Sequence, residues 1–233
     1  MIVLGFDTAT AATAVGLLRG DEAFEGRDDP EPGERPRHTA QLLAQARGLL
    51  DRAGVAFAEI DRVAVGVGPG SFTGLRIGVA TARALAQATG AELAGVSTLR
   101  ALAEAVAPPE PGTLVLPVID ARRGEVFAAA WRDGEPVFHP RALTPEELAE
   151  LAEAAGAGAP RPWLGVGDGA VRFRDLLVHA GVTVPEPGSP EHRVSAVTVC
   201  RLGARAEPAP GREVVPDYLR LPDAEEALRA RRA

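Results

Sequence analysis

The 233-residue sequence contains no lysine; all 25 of its basic residues are arginine. That excludes a Schiff-base lysine and the lysine of a Walker phosphate loop. A single cysteine, Cys200, excludes an intrachain disulfide and a multi-cysteine zinc site, and its expected role is a buried apolar thiol. Positive charge is outweighed by 32 acidic residues, giving a net charge of −7. Such a balance argues against a chain that grips RNA by itself, because backbone binding depends on clustered cations. No apolar run approaches the ~20 residues of a membrane span. The first residues, Met1-Ile2-Val3-Leu4, enter a strand without the basic stretch and hydrophobic run of a signal peptide. A soluble, cytoplasmic protein is expected. The dinucleotide fingerprint is also missing, since Gly66-x-Gly68 is followed three residues on by Ser71.

What is present is 46% hydrophobic content, enough for one large domain or two modest ones. The densest set of backbone constraints is Gly68-Pro69-Gly70-Ser71-Phe72-Thr73-Gly74-Leu75-Arg76-Ile77-Gly78. Before it, the β-branched run 62–67 reads as a buried strand; after it, 79–90 reads as helix, with Ser71 or Thr73 placed to cap the start. Proline fixes φ and the flanking glycines allow positive φ or close approach, so Gly-Pro-Gly makes a tight turn. A strand end feeding a helix N-terminus is where anions sit, so the turn is either a phosphate loop or a sharp structural bend.

Gly74, Gly78, Ala82 and Ala86 recur every fourth residue and line one face of this helix with almost no side chain. Leu75, Ile77, Val79 and Leu85 cover much of the rest, and Arg76 and Arg83 are its only charges. A helix this apolar needs cover on more than one side, from its own domain or from another subunit.

Elsewhere, 2–6, 12–18 and 22–27 read as strands, with Asp7, Thr8, Ala9 and Thr10 in the first turn. Residues 38–53 are helical, ended by Gly54. His38 has no second histidine four residues on, because Leu42 stands there; a capping or surface role is expected. A strand at 92–96 and a helix at 98–106 follow, then a linker rich in proline at 107–112. The pattern then restarts with strands at 114–119 and 125–131 around a turn at 120–124. Asp120 and Glu125 are either paired carboxylates for acid/base work or partners of Arg122 and Arg123 in a turn salt bridge, which the neighbouring charges favour. Thr144 caps a helix to about 155, 163–166 is a strand, and Gly167-Asp168-Gly169 turns into a helix at about 171–180. A last helix covers 194–206, and the arginines at 229, 231 and 232 read as solvated.

The 11 residues 68–78, with Asp-Ala-Arg-Arg-Gly-Glu-Val at 120–126 and Pro-Asp-Tyr-Leu-Arg at 216–220, resemble the TsaB family, the dimerisation subunits of the bacterial machinery that makes N6-threonylcarbamoyladenosine in tRNA. The resemblance implies an α/β actin-like ATPase (ASKHA) fold of two similar lobes, here 1–107 and 108–233, with the 194–206 helix packing back on the first. In that fold the first phosphate hairpin presents Asp-x-Gly-Thr; this chain has Ala9 at the third position, which crowds a phosphate and puts nucleotide binding in doubt. Asp7, Thr8, Thr10, Gly167 and Gly169 are the vestigial candidates for such a site. The catalytic relative TsaD carries His-x-x-x-His for its metal where this chain has Thr98 and Leu102, and leucine ligates nothing.

The implied function is a non-catalytic subunit without cofactor or metal that pairs with TsaD, the protein transferring threonylcarbamoyl to adenosine 37 of tRNAs reading ANN codons. The ATPase TsaE joins the pair, tRNA is met only through the complex, and the isolated chain is a possible homodimer. The helices 38–53 and 73–90 are the expected contact elements, with Leu75, Arg76, Gly78, Val79, Ala82, Arg83 and Ala86 as interface residues. The alternatives are an independently active actin-fold ATPase or kinase and a glycoprotease-like peptidase.

Overall fold

The computed structural model describes residues 1–31, 33–107, 110–156 and 162–220. Pro108 and Pro109 of the expected linker, and the arginines at 229, 231 and 232, lie outside the described residues.

The first sheet is built from β1 (Ile2–Asp7), β2 (Thr13–Arg19), β3 (Glu22–Asp28), β4 (Arg62–Gly68) and β5 (Glu92–Ser97), ordered β3-β2-β1-β4-β5. The three leading strands are antiparallel and the last two run parallel to β1. The second sheet repeats this plan with β6 (Leu114–Arg122), β7 (Glu125–Arg132), β8 (Glu135–Leu143), β9 (Trp163–Val166) and β10 (Val182–Thr183), ordered β10-β9-β6-β7-β8. Again three antiparallel strands are followed by two parallel ones. The fold is therefore α/β with two similar lobes, each a mixed five-stranded sheet with helices, as the resemblance implies.

Period-2 alternation sorts the residues of each strand between two layers. On β1, Leu4 and Phe6 face α1 (His38–Ala53) and α2 (Phe72–Thr89), where Leu42, Leu49, Val79 and Ala82 complete an outer core. Val3 on the opposite face joins a core shared by both sheets, with Leu99 and Leu102 of α3 (Thr98–Ala105), Val199 of α7 (Ala196–Arg205), and Ile119, Phe127 and Trp131 of the second sheet. The outer face of the second sheet is covered by α4 (Pro145–Gly156), α5 (Asp168–Arg172) and α6 (Arg174–His179). The helix expected at 171–180 is thus two short helices that meet at Phe173.

The first sheet admits α7 at close range because small residues face it. A Cβ at Gly5 would stand 2.6 Å from Cys200 Sγ, and one at Gly16 would stand 2.7 Å from the Ala196 carbonyl carbon. Cys200 is buried, donates to the Val3 carbonyl at 3.5 Å, and burial pushes its thiol up to about 12. At the other end of α7, buried Arg62 donates through Nη1 to the carbonyls of Gly203, Ala204 and Ala206 and through Nη2 to Glu92 at 2.5 Å. A cation there satisfies the free carbonyls of a helix C-terminus.

Candidate functional site

Two features could carry function: the cleft between the lobes and the outer side of α1 and α2. The cleft, of about 460 Å³, lies where the β1–β2 turn and the start of α2 face the β6–β7 hairpin; Thr10, Ser71, Asp120, Arg122 and Asp168 are among its walls.

The β1–β2 turn is tied inward. Asp7 is buried; its Oδ1 accepts the Ala9 N–H at 2.7 Å and its Oδ2 accepts the Thr98 hydroxyl at 2.7 Å. Burial pushes the Asp7 carboxyl above its ordinary value, and those two hydrogen bonds and Arg27 pull in the other direction. The side chain leaves no room across the sheet, for a Cβ at Gly66 would stand 1.9 Å from Asp7 Oδ2. Thr8 is buried too, and its hydroxyl donates to the Gly74 carbonyl at 2.7 Å.

The Gly-Pro-Gly turn closes on the same strand end. The Ser71 N–H donates to the Ala9 carbonyl at 2.7 Å, and the Ser71 hydroxyl accepts from Gly74 N at 3.3 Å, which makes it the cap of α2. A Cβ at Gly70 would meet the Ala9 carbonyl at 2.4 Å. One donor at the start of α2 that an anion would need is therefore already engaged by the neighbouring turn. Of the five vestigial candidates, Asp7 and Thr8 are committed to internal bonds and Thr10 alone lines the cleft. Gly167 and Gly169 pack against β6 instead: a Cβ would lie 2.3 Å from the Val118 carbonyl at the first and 2.8 Å from Val118 Cγ1 at the second.

Thr98 and Leu102 behave as core residues, the first bonded to Asp7 and the second 1% exposed between the sheets. Among the described residues no group of three or more His, Cys, Asp and Glu could hold a metal ion. His38 is neither a surface nor a capping residue. It is 3% exposed, its Nδ1 lies 2.8 Å from Thr13 Oγ1, and its Nε2 has no hydrogen-bond partner among the described residues. Burial lowers its pKa, against the opposing influence of Asp28 and the Thr10 backbone. It lies inside because α1 begins directly over β2, a tertiary fact that its place at a helix start does not announce.

Asp120 pairs with Arg122 at 3.2 Å and with Arg172 at 2.7 Å, and its N–H donates to Asp168 at 3.0 Å. Glu125 pairs with Arg220 instead, at 2.5 Å. The two carboxylates are thus separate ion-pair members rather than an acid/base couple.

The outer side of the molecule is plainer. Of the expected interface residues, Leu75, Gly78, Val79 and Ala82 are buried in their own chain: a Cβ at Gly78 would stand 2.5 Å from Thr8 Oγ1, and Ala82 is 0% exposed. The small-residue ridge lets α2 press against the β1–β2 turn. Arg83 turns back to the Val214 carbonyl at 2.6 Å, Ala86 is half-buried, and Arg76 stacks on Phe72 with its guanidinium 3.8 Å from the ring. What α2 presents to solvent is Thr73, Arg76, Ala80, Ala84, Gln87 and Ala88, with Ile77 and Thr81 half-buried beside them. The adjoining α1 presents Thr39, Ala40, Leu43, Ala44, Gly48 and Arg52, with Arg47 and Asp51 paired to each other; Leu43 is 49% exposed. The four-residue spacing of small residues on the solvent side, Ala40, Ala44 and Gly48 on α1 and Ala80, Ala84 and Ala88 on α2, was present in the sequence but was hidden by the stronger ridge behind it.

The family model for TsaD, tRNA N6-adenosine threonylcarbamoyltransferase, matches residues 30–163. The tRNA threonylcarbamoyladenosine biosynthesis protein TsaB of Escherichia coli (strain K12) is 32% identical over 227 residues, covering 94% of this chain and 95% of that protein. An uncharacterised protein of Mycobacterium leprae is 39% identical over 164 residues, 68% of this chain; the chain spans less than half of that relative, 43% of its length. A crystal structure from Pseudomonas aeruginosa, described as an uncharacterised protein with similarity to peptidase YeaZ, superimposes with a TM-score of 0.76 at 30% identity, over 94% of this chain and 99% of that one.

Proposed function

This chain belongs to the TsaB family and so to tRNA threonylcarbamoyladenosine biosynthesis, and on that premise we propose that it is a non-catalytic subunit that docks on TsaD and supports threonylcarbamoyl transfer to A37 of tRNAs reading ANN codons. TsaE joins the pair, and tRNA is reached only through the complex. The observation that carries this reading is the paired outer face of α1 and α2, where the small residues Ala40, Ala44, Gly48, Ala80, Ala84 and Ala88 accompany exposed Leu43 and the charges are Arg52, Arg76 and the Arg47–Asp51 pair. Such a face lets partner helices approach closely and lose little side-chain freedom. The inward commitment of Asp7 and Thr8 supports a subunit without chemistry of its own. In the absence of TsaD the same face pairs two copies of the chain.

Reconstitution tests the proposal. TsaD and TsaE are given tRNA, ATP and threonylcarbamoyl donor, with and without this chain. Modification that requires the chain, and none from the chain alone, is the expected result; modification by the chain unaided would refute the assignment. The cleft itself would favour an independently active ATPase or kinase. Calorimetry of the isolated chain with Mg-ATP separates the two, since no binding heat is expected and micromolar affinity would speak for the enzyme.

A further inference from the structure

The segment after α7 runs back along the first lobe to the cleft. Ala209 N donates to the Leu93 carbonyl at 2.9 Å, Arg83 holds the Val214 carbonyl, and Asp217 N donates to the Val67 carbonyl at 2.7 Å. To that point the segment belongs to the first lobe. Its next three residues span the mouth of the cleft. The Tyr218 ring lies 5.1 Å from that of Phe72 in the first turn of α2, and its hydroxyl accepts from Arg76 Nε at 3.2 Å. Leu219 packs, half-buried, against the core between the sheets. Arg220 then reaches the other lobe, donating to Glu125 Oε2 at 2.5 Å and to the Ala121 carbonyl at 3.0 Å, one on each strand of the β6–β7 hairpin.

The hairpin needs holding. Its core contacts stop at Ala121 and Val126, and the tip at Arg122, Arg123 and Gly124 is exposed. Arg122, Arg123 and Gly124 all have positive φ, at 65°, 54° and 80°, a conformation that arginine disfavours. We infer that residues 217–220 are a built-in brace that pins this hairpin to the first turn of α2 and so sets the aperture of the cleft between the lobes. The core shared by the two sheets fixes the lobes behind the cleft; the brace acts on its mouth. A ligand or partner that takes hold of Tyr218 or Arg220 would open the cleft, and one that stacks on them would close it. This property belongs to the isolated chain and does not rest on the partner proposed above.

Hydrogen exchange of the intact chain provides the test. Arg220→Ala is expected to speed exchange at amides 121–125 by about fivefold, as the loss of an anchoring hydrogen bond implies. The decisive variant is Tyr218→Ala, because Tyr218 makes its contacts on α2 and a brace alone transmits their loss to the opposite lobe. The expected result is faster exchange at 121–125 with α4 unchanged. Wild-type exchange at 121–125 in Tyr218→Ala, or a rise shared equally by α4, would overturn the brace. Should that variant not fold, Tyr218→Phe removes only the hydroxyl and is expected to give a smaller rise at the same amides; no rise there would likewise overturn it.

Discussion

At the residue scale, two buried titratable groups, one at the end of β1 and one at the start of α1, both disfavour their charged form. Asp7 has its carboxyl raised by burial. The folded chain therefore holds that proton at a pH where the unfolded chain has released it, and this contribution to stability falls as pH rises from the unfolded value of 3.8 through the folded one. Asp7→Asn keeps an acceptor for the Ala9 N–H and a partner for Thr98, without the charge. Chemical denaturation is expected to find it at least as stable as wild type at neutral pH, with wild type gaining relative to it as pH falls through the Asp7 titration. His38 has the opposite sense. Its pKa is lowered from 6.5, so the unfolded chain takes up a proton that the fold refuses, and stability falls as pH drops below 6.5. Denaturation at pH 7.5 and 5.5 is expected to show this loss in wild type and a smaller one in His38→Gln. That Ala9 stands in the β1–β2 turn was legible in the sequence. The burial of His38 was not, since it depends on Thr13 lying 25 residues away in the chain but 2.8 Å away in space.

At the element scale, α2 works with two sides of different grain. The inner ridge sits against backbone: a Cβ at Gly74 would stand 1.9 Å from the Thr8 carbonyl, which has no way to move aside without the β1–β2 turn. Gly74→Ala is expected to cost about 1–3 kcal/mol by overpacking, and Ser71→Ala about 1 kcal/mol through the lost cap, both read from denaturation midpoints. On the outer side, exposed Ala84→Arg is expected to stay within ~0.5 kcal/mol of wild type. Sequence spacing identified the helix and its small-residue stripe correctly, yet the stripe serves the chain's own turn. Periodicity reports which residues share a face and is silent on what covers it. The ends of α1 were legible because Gly54 adopts the left-handed conformation that stops a helix, with φ of 65°. The edge strand β8 was passed over because Pro136 and Pro140 interrupt it and none of its residues is fully buried, although Asp133-Gly134, both at positive φ, carries the tight-hairpin signal.

At the scale of the whole molecule, one plan is used twice, with a core shared between the sheets and α7 laid across the first of them. The repeat was legible from the restart of the strand pattern at residue 114. The return of the segment after α7 to the cleft was not, for nothing local in Pro-Asp-Tyr-Leu-Arg shows that Arg220 meets Glu125 across 95 residues of sequence. The central claim is that the outer side of α1 and α2 receives TsaD. Equilibrium binding of purified TsaD to wild type and to Ala84→Arg, with melting curves alongside, tests it most directly. The account predicts equal melting temperatures and affinity at least ~10-fold weaker for Ala84→Arg, because a fixed charge would be buried without a partner; wild-type affinity in that variant would contradict it.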